Sequence, residues 1–426
     1  MAVQLPAIRF LIMNAWTVGG TIRTTFTMAD ELAKRGHDVE IVSVYKMRRT
    51  DPAIPVPAGV RLRTLTDLRE PTLQGYAAGR TPVDRLRHRL VTQPSKLISS
   101  NDWRYKNFSL LTDVALFRFL ASVNDGILIG TRPGLNLLIA RLVPDHVVRV
   151  GQDHVNLSSY LPSLREQMKV AYPRLDLVSA LTDATADRYR QMLKGAVPVE
   201  VFPNAVPDVN GHRADPDAKV VVAAGRLTSQ KGFDRLLPVW SDVVAEHPDW
   251  KLRIFGDGRD REALERQIEE LGIGDSAELA GFTRRLHEEF SHASLYVLSS
   301  REEGFPMVLI EAMGMGLAPV SVDCRTGPRD IITDGVDGYV VPQNNREALG
   351  AAISELMSDA AKRRAFGEAA RGVAHRYDPR VIAERWERTL AELVARKGPE
   401  RKTFAARTLS EAGTRAALVT RRRLGR

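Results

Sequence analysis

The chain has a single cysteine, Cys324, among 426 residues. No internal disulfide is possible, and a lone cysteine in apolar company reads as a buried filler. No apolar run approaches the length of a membrane span. Residues 1–15 hold one short apolar run, Phe10 to Met13, without the layout of a signal peptide. Charge of one sign is scarce in the body. The formal charge is +9, yet residues 396–426 hold ten Arg or Lys against two acids, Glu400 and Glu411. A nearly neutral body excludes a broadly basic nucleic-acid-binding face. The GxGxxG dinucleotide fingerprint is missing. So is an Asp-any-Asp sequence after a strand, and His154 has no second histidine or cysteine at ligand spacing. No required metal and no cofactor are therefore expected. What is present suits a globular chain of two ordinary domains: 44% apolar residues, with Gly 31 and Pro 23.

The organising stretch runs from Ser299 to Gly314. The apolar run Leu295 to Leu298 reads as a buried strand. A polar loop with Glu303 and Gly304 follows, and Pro306 suits the first turn of a helix continuing through Met313. A strand, loop and helix start is where α/β proteins hold ligands. Taken singly, Glu303 reads as a solvated loop acid and Glu311 as a surface acid. However, the helix around Glu311 is otherwise apolar, so Glu311 calls for a polar partner.

The N-terminal half opens with a strand (8–13), a loop bearing Gly19 and Gly20, a helix (22–35) and a strand (39–44). This is the start of a Rossmann-like unit. The double glycine is open between a tight turn and an anion site at a helix start. Arg23 close behind is as readily a surface residue. After a strand at 60–65, residues 66–108 lose clear periodicity. Seven basic residues between Arg80 and Lys106 face two acids. They fit a solvated, partly helical insertion or an acceptor-side surface for phosphate or membrane. His154 follows a strand at 147–150; alone it reads as a loop residue, and neighbouring Asp153 is not read as a base. Residues 207–217 lack apolar periodicity and mark the domain boundary. In the second half, Arg226 and Lys231 lie on a loop between a strand (219–224) and a helix, the right chemistry for a diphosphate. Phe282 is open between core packing and a ligand contact, and Asp330 between a helix cap and a retained loop acid.

The Glu303-to-Glu311 spacing resembles the glutamate–seven residues–glutamate motif of retaining nucleotide-sugar glycosyltransferases of family 4. Gly225-Arg226-Leu227…Lys231-Gly232, Gly19-Gly20, His154 and the Pro203-Asn204 turn match that family as well, over roughly residues 8 to 390. The resemblance implies an α/β GT-B fold with two Rossmann-like domains facing across a cleft. The expected units are 1–207 for the acceptor, 208–377 for the nucleotide sugar, a crossover helix at 378–395 and a basic tail at 396–426. It implies Glu303 near the donor sugar, Glu311 on the ribose and His154 on the transferred sugar. The implied catalytic set is His154, Glu303, Arg226 and Lys231. The donor-binding set is Gly19, Gly20, Arg226, Lys231, Gly304, Phe305 and Glu311. The expected reaction is retaining transfer of a hexosyl unit from a nucleoside diphosphate sugar, with a UDP-sugar preferred. The acceptor hydroxyl is expected on a surface polysaccharide, a teichoic-acid-like polymer or a glycolipid. A natural-product acceptor stays open, as do a phosphorylase, a nucleotide-sugar hydrolase and a polyanion-binding module. A cytosolic enzyme is expected, with the tail a candidate tether to an anionic inner membrane face and no specific nucleic acid as partner.

Overall fold

In a computed structural model of the chain, the described residues are 4–17, 19–47, 50–206, 209 and 211–397. Short apolar runs pair in parallel and build two sheets. The first contains β1 (Ile8–Ile12), β2 (Val39–Lys46), β3 (Val60–Asp67), β4 (Ile127–Gly130), β5 (Val148–Gln152), β6 (Leu177–Ala180) and β7 (Val199–Val201), in the order β3-β2-β1-β4-β5-β6-β7. The second contains β8 (Val220–Ala224), β9 (Lys251–Phe255), β10 (Ala277–Gly281), β11 (Leu295–Leu298), β12 (Ala318–Val322) and β13 (Tyr339–Val341), in the order β10-β9-β8-β11-β12-β13. Parallel pairing needs long crossovers, helical in most cases though not between β2 and β3, and these helices cover both faces of each sheet. The central strands are therefore continuous apolar runs: every residue of β4, β5, β11 and β12 is buried.

Strand order reverses between β1 and β4 in the first sheet and between β8 and β11 in the second. Such reversals open a crevice beyond the carboxyl ends of the strands. The Gly19–Gly20 loop leaves β1, the Arg226–Lys231 loop leaves β8, and the Glu303 loop leaves β11. All three sit at these two reversals.

Several elements differ from the sequence reading. The first helix is Gly20–Lys34, beginning before Ile22. Gly20 itself thus sits in its first turn. Pro306 is the residue before the helix Met307–Met315, with ψ of 79°, and not within its first turn. Its missing donor costs nothing at that place either. The stretch after β3 contains two helices, Glu70–Ala78 and Pro82–Val91, neither of which buries a residue. The second carries Val83, Leu86 and Leu90 at helical spacing, yet leaves that face largely uncovered. Asp330 lies inside the short helix Pro328–Ile331 and does not cap it.

The last helix among the described residues is Pro379–Lys397. It lies against the first sheet, with Ile382, Ala383, Trp386, Leu390 and Leu393 in the core beneath β1, β2, β4, β5 and β6. Trp386 stacks on Phe202 at 4.0 Å between ring centroids. This helix runs past residue 395 and takes in two of the ten cations assigned to the tail. Arg396 lies 3.7 Å from Glu392, and Lys397 pairs with Asp176 at 2.7 Å. Lys397 is nearly buried there, and burial holds its pKa below the usual lysine range. The rest of the proposed tether lies outside the described residues.

Candidate active site

The loop after β11 carries the first carboxylate. Glu303 is buried, and its Oε1 accepts from Ser300 Oγ at 2.6 Å and from Lys231 Nζ at 2.7 Å. Two residues placed apart by the sequence reading, one on the diphosphate and one on the sugar, thus form a single ion pair 72 positions apart in the chain. Lys231 reaches it because Gly232 turns the loop sharply. Gly232 has φ of +70°, and a Cβ there would lie 2.1 Å from the Ser299 carbonyl. Only glycine meets both demands. Arg301 fastens the same two loops from the other side. Its guanidinium forks onto Asp234 at 2.7 and 2.6 Å, and its own carbonyl accepts from Gln343 Nε2 at 2.6 Å. The Arg301 hydrogen bonds pull the Asp234 carboxyl below the usual range. Arg226, by contrast, is exposed and has no ion pair among the described residues.

Glu311 finds the polar partners that its apolar helix required. It is buried, with Arg23 Nη1 2.7 Å from Oε1 and His287 Nε2 3.1 Å from Oε2. The Arg23 approach is an ion contact without hydrogen-bond alignment, since Oε1 has no hydrogen-bond partner. Arg23 comes from the first helix of the N-terminal sheet and His287 from the short helix Leu286–Phe290 of the second. Arg23 therefore crosses the cleft and is no mere surface residue.

The N-terminal wall is the loop after β5. His154 is buried, with Nδ1 3.2 Å from Asn204 Oδ1 and Nε2 without a partner. Asn204 belongs to the Pro203-Asn204 turn. Burial without a compensating charge lowers the His154 pKa to about 4, so the ring is neutral near pH 7. Asp153 points away, into a pocket where the Tyr160 and Tyr189 hydroxyls donate to its two oxygens. Burial raises its pKa to about 6 despite both donors. The two domains meet directly here. A Cβ at Gly304 would lie 2.8 Å from the His154 carbonyl oxygen. Asn156 Nδ2 donates to Thr326 Oγ1 at 3.4 Å, Thr326 Oγ1 donates to the Glu303 carbonyl at 2.6 Å, and Ser159 Oγ bonds Glu302. Thr326 holds φ of +62°, a costly backbone state for a β-branched residue.

The predicted set is thus brought to one cleft, with exceptions. The Phe305 ring is buried against Tyr377 at 5.5 Å, so its side chain serves packing. A Cβ at Gly20 would meet open space and one at Gly19 only an ordinary contact, so packing does not demand glycine at either. Phe282 is 68% exposed, which rules out the core alternative. Cys324 is buried, and burial pushes its thiol up to about 12. Among the described residues no group of three or more His, Cys, Asp or Glu is placed to hold a metal ion, and no helix is long and apolar enough to cross a membrane. Sequence reasoning missed Arg301, Asp234, Asn156, Thr326 and His287. Only Thr326-Gly327-Pro328, a turn signal, marked any of them.

Two doubly wound parallel sheets, with paired carboxylates and cations at facing strand ends, define a GT-B fold. Residues 208–373 match the family model described as glycosyl transferases group 1, and that stretch is a domain of that family. An exopolysaccharide phosphotransferase of Streptomyces coelicolor is 36% identical over 397 residues, covering 93% of this chain and 42% of that protein. The chain thus spans less than half the length of that relative. A poly(glycerol-phosphate) alpha-glucosyltransferase of Bacillus subtilis is 36% identical over 173 residues, covering 41% of this chain and 26% of the relative. A mutant of Staphylococcus aureus TarM, solved with fondaparinux, alpha-GlcNAc-glycerol and UDP, superposes with a TM-score of 0.69 at 16% identity. That likeness covers 91% of this chain and 99% of that one.

Proposed function

We propose that the chain is a retaining glycosyltransferase that moves a hexosyl unit from a UDP-sugar to an acceptor hydroxyl in cell-surface polymer synthesis. The observation that carries this is the convergence of Arg226, the Lys231–Glu303 pair and Glu311 at one strand-order reversal, opposite His154 on the facing sheet. Arg226 and the first-turn amides at Gly20 meet the diphosphate, and Arg226 and Lys231 stabilise the charge that builds on the leaving group. Glu311 accepts from the ribose hydroxyls once released from Arg23. Glu303, held by Lys231 and Ser300, faces the donor sugar. His154, neutral and with a free Nε2, contacts the transferred hexose. The exposed Phe282 ring is free to stack on the base. Closure of the cleft excludes water and suppresses hydrolysis of the donor. The names of the Bacillus and Staphylococcus proteins support a UDP donor and a polyol-phosphate acceptor.

The test is acceptor-dependent release of nucleoside diphosphate, screened over UDP- and GDP-sugars with lipid, polyol-phosphate and small-molecule acceptors. Arg226→Ala should lower kcat at saturating donor by about 10²–10³-fold with an unchanged circular dichroism spectrum. Release that ignores every acceptor would make the chain a hydrolase instead.

A further inference from the structure

Beside the cleft mouth, and outside the residues assigned to the donor, lies an open cavity of about 770 Å³. Five cations line it: Arg165, Lys169, Arg188, Lys194 and Arg325. Glu166 is the one carboxylate among its lining residues, and it pairs with Lys169 at 2.6 Å. The other four have no carboxylate partner among the described residues. Arg188 is held by neutral groups alone, donating to Asn156 Oδ1 at 3.1 Å and to Ser158 Oγ at 3.3 Å. Like charges around one concavity repel, and a concave wall of one sign focuses the field onto an incoming anion.

The cations come from different elements. Arg165 and Lys169 lie on the helix Pro162–Ala171, Arg188 and Lys194 on and just after the helix Asp183–Leu193, and Arg325 on the loop after β12 of the other domain. No single helix explains the clustering; the fold assembles it across both domains. The cavity also adjoins the reacting centre. Its edge at Leu157 and Ser158 belongs to the loop that carries His154. From Arg188, three hydrogen bonds run through Asn156 and Thr326 to the Glu303 carbonyl.

We propose that this cavity is the binding site for an anionic acceptor chain, a phosphodiester-linked polymer whose successive phosphates meet Arg165, Arg188, Lys194 and Arg325 while a hydroxyl further along reaches the cleft. The volume exceeds what one phosphate fills, and cations on several elements suit charges repeated along a chain. This deepens the transferase reading by giving an anionic acceptor a site of named residues, and it rests on that reading only for the turnover arm below.

The experiment measures binding of polyphosphate of defined length to the full chain by fluorescence anisotropy, over a range of salt, without donor. The comparison variant is Arg165→Gln with Lys194→Asn and Arg325→Gln. Asparagine is chosen because Lys194 has φ of +49°, which asparagine tolerates. Arg188 is kept, since it holds Asn156. The variant should bind polyphosphate at least tenfold more weakly and show a shallower dependence of log affinity on log salt, as each lost phosphate contact releases fewer counterions. A charge-keeping variant, Arg165→Lys with Arg325→Lys, should bind as the wild type does. UDP affinity should be equal in all three, which separates this site from the donor site. If donor turnover is established, kcat/KM should fall for a phosphodiester acceptor and stay level for a neutral one. Equal polyphosphate binding by wild type and the neutralised variant overturns the site. So does binding confined to inorganic phosphate, or to anionic phospholipid vesicles with none to polyphosphate.

Discussion

At the scale of single residues, Asp153 and His154 are neighbours driven in opposite senses by the same cause. Both are buried, and burial disfavours whichever form is charged. Asp153 has its carboxyl raised to about 6, so the folded chain binds that proton more tightly than the unfolded chain. Its buried charge costs stability above pH 6, and the cost is relieved as the pH falls toward the ordinary carboxyl value. His154 has its ring lowered to about 4. The unfolded chain protonates it below about pH 6.5 while the folded chain does not, so stability is lost as the pH falls from there to about 4. Between pH 4 and 6 the two slopes oppose each other. Each is worth on the order of 3 kcal/mol over its full range. Removing one should uncover the other. Asp153→Asn should lose stability from pH 7 to pH 5 more steeply than the wild type. His154→Gln should lose less, or gain. Urea unfolding at the two pH values checks both, and parallel profiles in all three proteins would refute the pairing.

At the scale of elements, the helix Phe233–Glu246 contains Pro238 in its interior. Proline has no N–H to offer the carbonyl four residues back, that of Asp234. The vacancy is filled from the next helix, where Gln267 Nε2 donates to the Asp234 carbonyl at 2.9 Å. The Asp234 side chain meanwhile holds Arg301, so one residue ties the gap left by Pro238 to the Glu303 loop. Gln267→Leu strands that carbonyl and should cost about 1–3 kcal/mol, read as a lower urea midpoint. Turnover should fall as well if the Arg301 fork loosens; a variant as stable as wild type would refute the role given to Gln267. The same elements show what a sequence discloses. Strands such as β11 and loops with Gly232 were legible because burial and positive φ restrict residue type locally. The pair of helices after β3 was not, because Glu70–Ala78 has little apolar patterning and the stripe of Pro82–Val91 is set among charges and stays largely uncovered. Lys231 with Glu303, and Arg23 with Glu311, were legible only as unpaired residues. Each pair joins loops distant in the chain, and no local pattern carries that distance.

At the scale of the whole molecule, the helix Pro379–Lys397 is structurally part of the N-terminal unit. Trp386 is buried there against Phe202. Trp386→Ala should cost about 3–5 kcal/mol, and the loss should fall on the N-terminal unit. The expected readout is two unfolding transitions in place of one, with nucleotide binding lost only in the later. A single shifted transition would mean that the two sheets unfold as one body regardless.

Arg23 carries a consequence for how the protein samples its states. It spans the cleft to Oε1 of Glu311, the carboxylate assigned to the ribose, while His287 holds Oε2, so on the proposed function Arg23 competes with a ribose hydroxyl for that oxygen. The protein then divides its time between a self-occupied form and a receptive one, and measured nucleotide affinity is the intrinsic affinity scaled by the receptive fraction. Arg23→Ala should enlarge that fraction and tighten UDP binding severalfold by calorimetry, with Glu311→Gln abolishing the gain. Unchanged or weaker binding in Arg23→Ala would dismiss the competition. Reciprocity adds the converse: on the proposed function, a nucleotide that captures Glu311 also frees the Arg23 guanidinium from its carboxylate inside the cleft.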